Sequence, residues 1–425
     1  MNGTSEWFAG IPQCWPAIPI KHGFRLIGSG TTPPTGEARF YDGTIPWVNT
    51  SELRENVVFQ TDKTLTTEAI EELTALRAYP VGTVLFAMYG ATIGRVAILG
   101  VPATVNQAVC ALADPSRFTP RFVFYGLQAS REFLAASSTG GGQPNLNAEK
   151  VREHKLPCPD PQTQRAIADY LDRETARLDA LVAAKERVLG LLAEKRRALI
   201  TRAVTRGLDL RVPLRDSGIP WLGEIPAHWE LKRAKWLFWE RDQRSTTGEE
   251  VLLSLRMERG LVPHNTVSLK QTQPDELVGY KQVSTGEIVV NRMRAASGLV
   301  AIAPQDGLVS PDYAVFRVSP SANAEYFTHL FKTELMQAVF RSESTGLGTG
   351  SSGFLRLYSE SFLCLWLPYP PAREKAAILA HVEDELAKLA AIHAATERTV
   401  TLLKERRAAL IAAAVTGQID VGATA

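Results

Sequence analysis

The run from Gln162 to Arg206 returns near the C-terminus at an offset of 211. Leu156, Pro157 and Pro159 recur as Leu367, Pro368 and Pro370, Ala166-Ile167 as Ala377-Ile378, and Glu174 as Glu385. Leu178 recurs as Leu389, Glu186-Arg187 as Glu397-Arg398, Leu191-Leu192 as Leu402-Leu403, Ala198-Leu199-Ile200 as Ala409-Leu410-Ile411, and Ala203-Val204-Thr205 as Ala414-Val415-Thr416. A gapless repeat of this length implies that one structural unit occurs twice.

Spacing identifies the unit. Ile167, Leu171, Glu174, Leu178, Leu181, Lys185, Val188, Leu192, Lys195 and Leu199 alternate steps of four and three, the a/d seam of a heptad pattern. The second copy supplies Ile378, Val382, Glu385, Leu389, Ile392, Thr396, Thr399, Leu403, Arg406 and Leu410. The intervening residues are mostly Ala, Glu, Lys and Arg, which are strong helix formers. Pro161 and Pro371 stand where a proline can open a helix, and Gly207 and Gly417 where a glycine can close one. About forty residues at roughly 1.5 Å each make a rod of about 60 Å. One such helix has nothing of its own to bury its seam against, so the two copies are predicted to pack on each other. Antiparallel packing would bring Glu174 near Arg406 and Lys195 near Glu385. Polar seam positions of this kind cost stability but fix register.

The helices divide the 425 residues into four blocks: 1–158, 159–212, 213–368 and 369–425. The two larger blocks are weakly related. Ile11-Pro12 and Trp15 correspond to Ile225-Pro226 and Trp229, Gly82 to Gly286, and Gly94 to Gly298. The runs 81–98 and 285–302 each read as strand, polar turn, strand. Val105–Leu112 and Val309–Val318 each read as a further strand. Helices over Arg121–Ser130 and Ala324–Arg341 follow, then Gly/Ser loops at 138–147 and 344–353. The predicted class is mixed α+β (α/β): two globular domains separated by two long helices that form an antiparallel coiled coil, with a pseudo-twofold internal repeat.

Composition is that of a soluble globular protein with a formal net charge of +2, so nucleic-acid binding would have to come from local patches or from partners. Cys14, Cys110, Cys158 and Cys364 show no CxxC spacing and read as reduced thiols of a cytoplasmic protein. No run approaches eighteen apolar residues, which argues against a membrane partner.

The sequence contains no phosphate-binding GxxxxGK[ST] loop, HExxH motif, Cys/His cluster, Gly-x-Ser-x-Gly elbow or Asn/Asp-Pro-Pro-aromatic motif. Pro274-Asp275 followed by Lys281 has the residue types of a nuclease signature, but its spacing and turn-like context read as a surface loop. No catalytic or metal-binding residues emerge, and what remains is a binding module. Side chains able to reach base edges cluster in the loops, where Arg pairs best with guanine and Asn or Gln with adenine. In the first block these are Tyr89, Thr92, Arg95, Asn106, Gln107, Gln143, Asn145 and Asn147. In the second they are Arg256, Arg259, Asn291, Arg292, Arg294, Ser310, Tyr313 and Arg356. Arg292 and Arg294 stand where the first block has Met88 and Gly90, so the blocks differ where they would touch a ligand. The bland reading of each residue alone is a solvated loop side chain.

The whole chain resembles the specificity (S) subunit of type I restriction–modification enzymes. The likeness is carried by the duplicated helices, the Leu-Pro-x-Pro entries at 156–159 and 367–370, the Gln162-Thr-Gln-Arg-Ala-Ile167 start and the strand-turn-strand runs. The second helix departs from the pattern, opening with Arg373-Glu-Lys-Ala-Ala-Ile378. The resemblance implies that each globule is a target recognition domain reading half of a bipartite site in double-stranded DNA. It implies that the helices hold the two domains apart and dock two methyltransferase (M) subunits, which restriction/translocase (R) subunits then join. The subunit itself would be non-catalytic and hold no cofactor, with S-adenosylmethionine, ATP and magnesium on the partners. The rod exceeds the roughly 35 Å between half-sites on one groove face, so the globules would fold back over a gapped, asymmetric target. The alternative class is a fused or stand-alone restriction component with its own catalytic site. A third is a coiled-coil scaffold that makes no DNA contact.

Overall fold

The computed structural model describes residues 10–136, 146–269, 272–347 and 354–421. Gln143, Asn145 and most of the two Gly/Ser loops lie outside the described residues. The chain forms two compact units, Met1–Glu186 with Glu397–Ala425, and Arg187–Thr396, so each unit draws on part of both long helices.

The first unit is built on five strands: β1 (Phe24–Gly28), β2 (Asn56–Val58), β3 (Val84–Ala87), β4 (Val96–Leu99) and β5 (Val109–Pro115), in the order β1-β5-β3-β4-β2. Pairing is antiparallel except for the parallel edge strand β2 against β4. Val84-Leu-Phe-Ala87 is apolar at every position because both faces of the sheet are covered. Val84, Phe86, Val96, Ile98, Cys110 and Leu112 face the helix Pro120–Ala129, which contributes Phe122, Val123 and Leu127. Leu85, Ala87, Ala97, Leu99 and Ala111 point the other way, into a second core with Val48, Leu53 and Tyr79.

The second unit repeats this plan with β6 (Phe238–Arg241), β7 (Ile288–Asn291), β8 (Val300–Ile302) and β9 (Tyr313–Val318), in the order β6-β9-β7-β8. Ile288, Val290, Val300 and Phe316 face the helix Ala324–Phe331, while Val289, Ala301 and Val315 face Leu253, Leu255 and Leu261. Strand order, two-sided burial and the following helix match four of the first unit's five strands. The first unit's parallel edge strand has no counterpart among the described residues.

Two details depart from the sequence reading. The stretches taken as single strands break at 106–108 and 310–312, because Asn106 Oδ1 accepts the Ala108 amide at 3.0 Å and Ser310 Oγ accepts the Asp312 amide at 3.4 Å. The helix read over Ala324–Arg341 is two helices, Ala324–Phe331 and Glu334–Ser342. Thr333 caps the second, its hydroxyl accepting the Met336 amide at 3.3 Å.

The long helices run Pro161–Arg206 and Ala372–Val415. Asp160 caps the first, accepting the amides of Gln162 and Thr163 at 2.9 and 3.0 Å. Within the first unit, Ile167 and Leu171 share a core with Ile411, Ala414 and Val415, so the start of one helix meets the end of the other. Within the second unit, Ala203 and Val204 meet Ile378 and Val382, with Leu199 packed alongside. Both units therefore show antiparallel pairing. Leu178 and Leu389 are buried, and Leu192, Leu403 and Leu410 are half-buried.

The expected seam needs correction at its middle. Leu181 (44 % exposed), Val188 (38 %) and Ile392 (50 %) face solvent. Thr175 and Val400 are buried next to the expected Glu174 and Thr399. An α-helix drifts about 20° per heptad against a strict seven-residue repeat, so an a/d stripe turns out of contact within a few turns. The polar pairs move with it: Arg407 Nε meets Asp179 at 2.9 Å and Lys404 meets Glu186 at 3.1 Å. Glu385 bonds Lys388 of its own helix at 2.8 Å rather than Lys195. No helix among the described residues is long and apolar enough to cross a membrane.

Candidate nucleic-acid interface

In the first unit, the β3–β4 connection and the turn before β5 converge at one end of the sheet. The Tyr89 hydroxyl donates to the Gln107 carbonyl at 2.6 Å, and the Met88 amide to the Ala108 carbonyl at 2.8 Å. Asn106 donates through Nδ2 to Asn49 Oδ1 at 3.1 Å, and the Thr32 hydroxyl to Gln107 Oε1 at 2.6 Å. Thr92 and Arg95 lie half-buried in the same connection, Arg95 with no ion pair among the described residues. The Leu146 amide donates to the Met88 carbonyl at 2.9 Å, which holds the start of the 148–153 helix beside the loop. Asn147 is committed there as a helix cap, accepting the Lys150 amide at 2.9 Å.

Thr32 and Asn49 are members of this cluster that the sequence reading missed. Asn49-Thr-Ser-Glu52 carries a readable signal. It is a capping box in which Glu52 accepts the Asn49 amide at 2.6 Å, and that box fixes Asn49 beside Asn106.

The second unit assembles the corresponding loops. Asn291 and Tyr313 are register partners on β7 and β9, and Asn291 Oδ1 accepts the amides of Met293 and Arg294, both at 3.1 Å. Arg356 Nη1 reaches Asp312 Oδ1 at 3.3 Å, which joins Ser310-Pro-Asp312 to the strand Phe354–Arg356. The Leu357 amide donates to the Arg292 carbonyl at 2.9 Å. Arg256 ends one strand of the hairpin 253–263 near Tyr313, and Arg259 lies in that hairpin's turn.

The arginines have different tasks. Arg292 is only 15 % exposed and paired with Glu240, so it braces the loop rather than presenting a free fork. Arg256, Arg259 and Arg294 are exposed, with no ion pair among the described residues. Burial raises the Tyr313 phenol above its usual range, against the opposing Asn291 hydrogen bond and the charges of Arg256 and Arg294. Burial also raises Tyr89. Both phenols are therefore neutral at physiological pH and present no negative charge to an anionic ligand. Free guanidinium groups beside amides and neutral hydroxyls are the donor and acceptor set that reads groove edges and holds phosphates.

The reading of 274–281 as a surface loop also needs correction. Asp275 is exposed, but Lys281 is buried between Asp242, at 2.8 Å, and Glu240, at 3.4 Å. Its charge is satisfied within the domain.

The fold is an internal duplication, with two unlike loop clusters on like sheets. The chain is similar to specificity subunits of type I restriction enzymes over part of its length. Residues 23–189 match the family described as type I restriction modification DNA specificity domain. The type I restriction enzyme MjaIX specificity subunit of Methanocaldococcus jannaschii is 30 % identical over 166 residues, 38 % of each chain. The EcoR124I/EcoR124II specificity subunit of Escherichia coli is 25 % identical over 150 residues, 34 % of this chain and 37 % of that one. The matched stretch thus spans less than two fifths of either relative. Among solved structures, a chain from work on the assembly and conformational transition of the type I R-M system superimposes with a TM-score of 0.67 at 17 % identity, covering 96 % of this chain and 99 % of its own. The HsdS subunit from Thermoanaerobacter tengcongensis gives 0.56 at 15 % identity, covering 96 % and 98 %. These two likenesses establish the fold.

Proposed function

We propose that this chain is the DNA sequence-specificity subunit of a type I restriction–modification complex. Residues 1–158 and 213–368 are its target recognition domains, each reading one half of a bipartite, gapped site in double-stranded DNA. The helical segments 159–212 and 369–425 set the spacing and dock two methyltransferase subunits, which restriction/translocase subunits join in the cytoplasm. The chain is non-catalytic, and S-adenosylmethionine, ATP and magnesium act on the partner subunits.

One observation carries this reading. Two sheets of the same strand order present loops at equivalent connections, and the side chains in those loops differ: Tyr89, Asn106 and Gln107 on one, Asn291, Arg294 and Tyr313 on the other. Like frames with unlike reading residues suit an asymmetric site.

The energetics favour two heads over one. Each well-read base pair contributes roughly 1–3 kcal/mol of discrimination. One small domain reading three or four pairs selects poorly against a genome, whereas a tethered second domain binds intramolecularly and multiplies selectivity.

The test is to map methylated positions in the host genome with and without this gene. A gapped, asymmetric motif should vanish with the gene. The pure chain incubated with DNA, magnesium and S-adenosylmethionine should neither cleave nor methylate. Either activity from the chain alone would establish the catalytic alternative instead.

A further inference from the structure

The internal repeat allows one half of the molecule to serve as the control for the other. Along the long helices the offset is 211; from Gly82/Gly286 and Gly94/Gly298 through the helix that follows the sheet it is 204. These offsets pair Arg407 with Arg196, Asp179 with Ala390, Asp172 with Glu383, Gln128 with Lys332, and Tyr125 with His329.

In the first unit this group is neutralised. Arg407 Nε meets Asp179 at 2.9 Å and Arg407 Nη1 donates to Gln128 Oε1 at 3.4 Å, while the Tyr125 hydroxyl donates to Asp172 at 2.6 Å. In the second unit the acid facing the arginine has become alanine, the amide lysine and the phenol imidazole. Among the described residues no carboxylate bonds Arg196, His329 or Lys332. The counterpart of Asp172, Glu383, is exposed and does not bond His329. The carboxylate lining the space, Glu334, is paired with Arg197 at 3.4 Å.

The three basic groups line a cavity of about 360 Å³ between the first long helix and the helices Ala324–Phe331 and Glu334–Ser342. The Thr328 hydroxyl in its wall is buried without a hydrogen-bond partner. Loss of solvent, then the charges of Lys332 and Arg196, hold the His329 imidazolium below its usual range. Partial loss of solvent, then the charge of Arg196, lowers Lys332 in the same direction, although Lys332 and Arg196 both keep exposed surface. Convergent donors that oppose one another's charge are relieved when an anion enters.

We propose that the second unit holds an oxyanion site for a phosphoryl group, formed by Arg196, His329 and Lys332. Three basic side chains lining one cavity suit a phosphate, either inorganic phosphate or the phosphate of an ester, and the cavity has room for the rest of the ester. The site does not depend on how the loops read DNA.

The test is calorimetric titration of the full chain with inorganic phosphate, with AMP and with a short DNA duplex, at constant ionic strength in chloride. Phosphate should bind saturably at one site per chain. The double variant Lys332→Gln with Ala390→Asp recreates the neutral arrangement of the first unit and should weaken phosphate binding by about tenfold or more, the worth of one charged hydrogen bond. Arg196→Gln should do the same, and keeps the test open should the double variant fold poorly. Displacement of phosphate by AMP would identify a free phosphoester as the natural source, and displacement by duplex would identify the DNA backbone. Absence of saturable phosphate binding, or binding undiminished in both variants, would overturn the proposal.

Discussion

Trp229 lies against Gly207: a methyl group placed on that glycine would sit 3.2 Å from the ring carbon Cζ2. The repeat reproduces the contact at the end of the second long helix, more tightly. There a methyl on Gly417 would meet Trp15 at 2.9 Å and Pro12 Cδ at 2.7 Å. Each Ile-Pro-x-x-Trp motif thus covers the end of a long helix, and each glycine holds a left-handed conformation, with φ of +74° and +73°.

Gly417→Ala should therefore destabilise the full chain by about 2–3 kcal/mol, combining backbone strain with a clash against two rigid rings. Gly207→Ala should cost less, about 1–2 kcal/mol, because the nearest atom there is the flexible Glu374 carboxylate at 2.8 Å. Urea denaturation of the two variants gives the order directly. Equal losses would show that the tryptophan contacts contribute nothing beyond the shared φ.

The helix seam yields a second comparison. Leu171 is fully buried against the end of the other long helix, while Leu181, ten residues on, is largely exposed. Leu171→Ala should lose about 2–5 kcal/mol. Leu181→Ala should change stability by no more than about 0.5 kcal/mol. A heptad reading of the sequence makes the two residues equivalent. A large loss at Leu181 would restore the strict seam.

This marks where the sequence was legible. The duplicated helices, their proline and glycine boundaries and the strand-turn-strand runs are local patterns, and local physics dictates them. The break at Asn106 was harder to see, because Val105–Leu112 satisfies strand propensity and only the Asn106 side chain, bonding two residues on, interrupts it. Arg292 and Lys281 could not be assigned, because their partners Glu240 and Asp242 lie about forty to fifty residues away in sequence and meet them only through the sheet. Charge content identified both as candidates for function or solvent, and long-range pairing made them structural.

The same distinction predicts how the arginines of the second unit divide. Arg294→Ala should weaken duplex binding across sequences or at one base position, reduce the salt slope of binding by about one, and leave stability within about 0.5 kcal/mol of the parent. Arg292→Ala should lose about 1–2 kcal/mol of stability, since among the described residues Glu240 then keeps only Lys281 at 3.4 Å. Binding measured over a salt series, beside urea denaturation, separates the two effects. Equal loss of binding with no loss of stability in both variants would return Arg292 to the reading surface.

His154 gives the molecule a pH dependence of defined sign. It closes the 148–153 helix, packs its ring 6.0 Å from that of Phe133, and leaves Nε2 buried without a partner. Burial holds its pKa down to about 4 from the ordinary 6.5. The unfolded chain therefore takes up a proton between those two values while the folded chain does not, so this residue's contribution falls as pH drops from about 6.5 towards 4. The full effect is on the order of 3 kcal/mol. His154→Gln, which cannot titrate, should show a shallower loss of stability between pH 7 and pH 4.5 than the parent, whatever its stability at pH 7. Parallel stability curves for the two proteins over that interval would mean that His154 is protonated in the folded state, contrary to its burial.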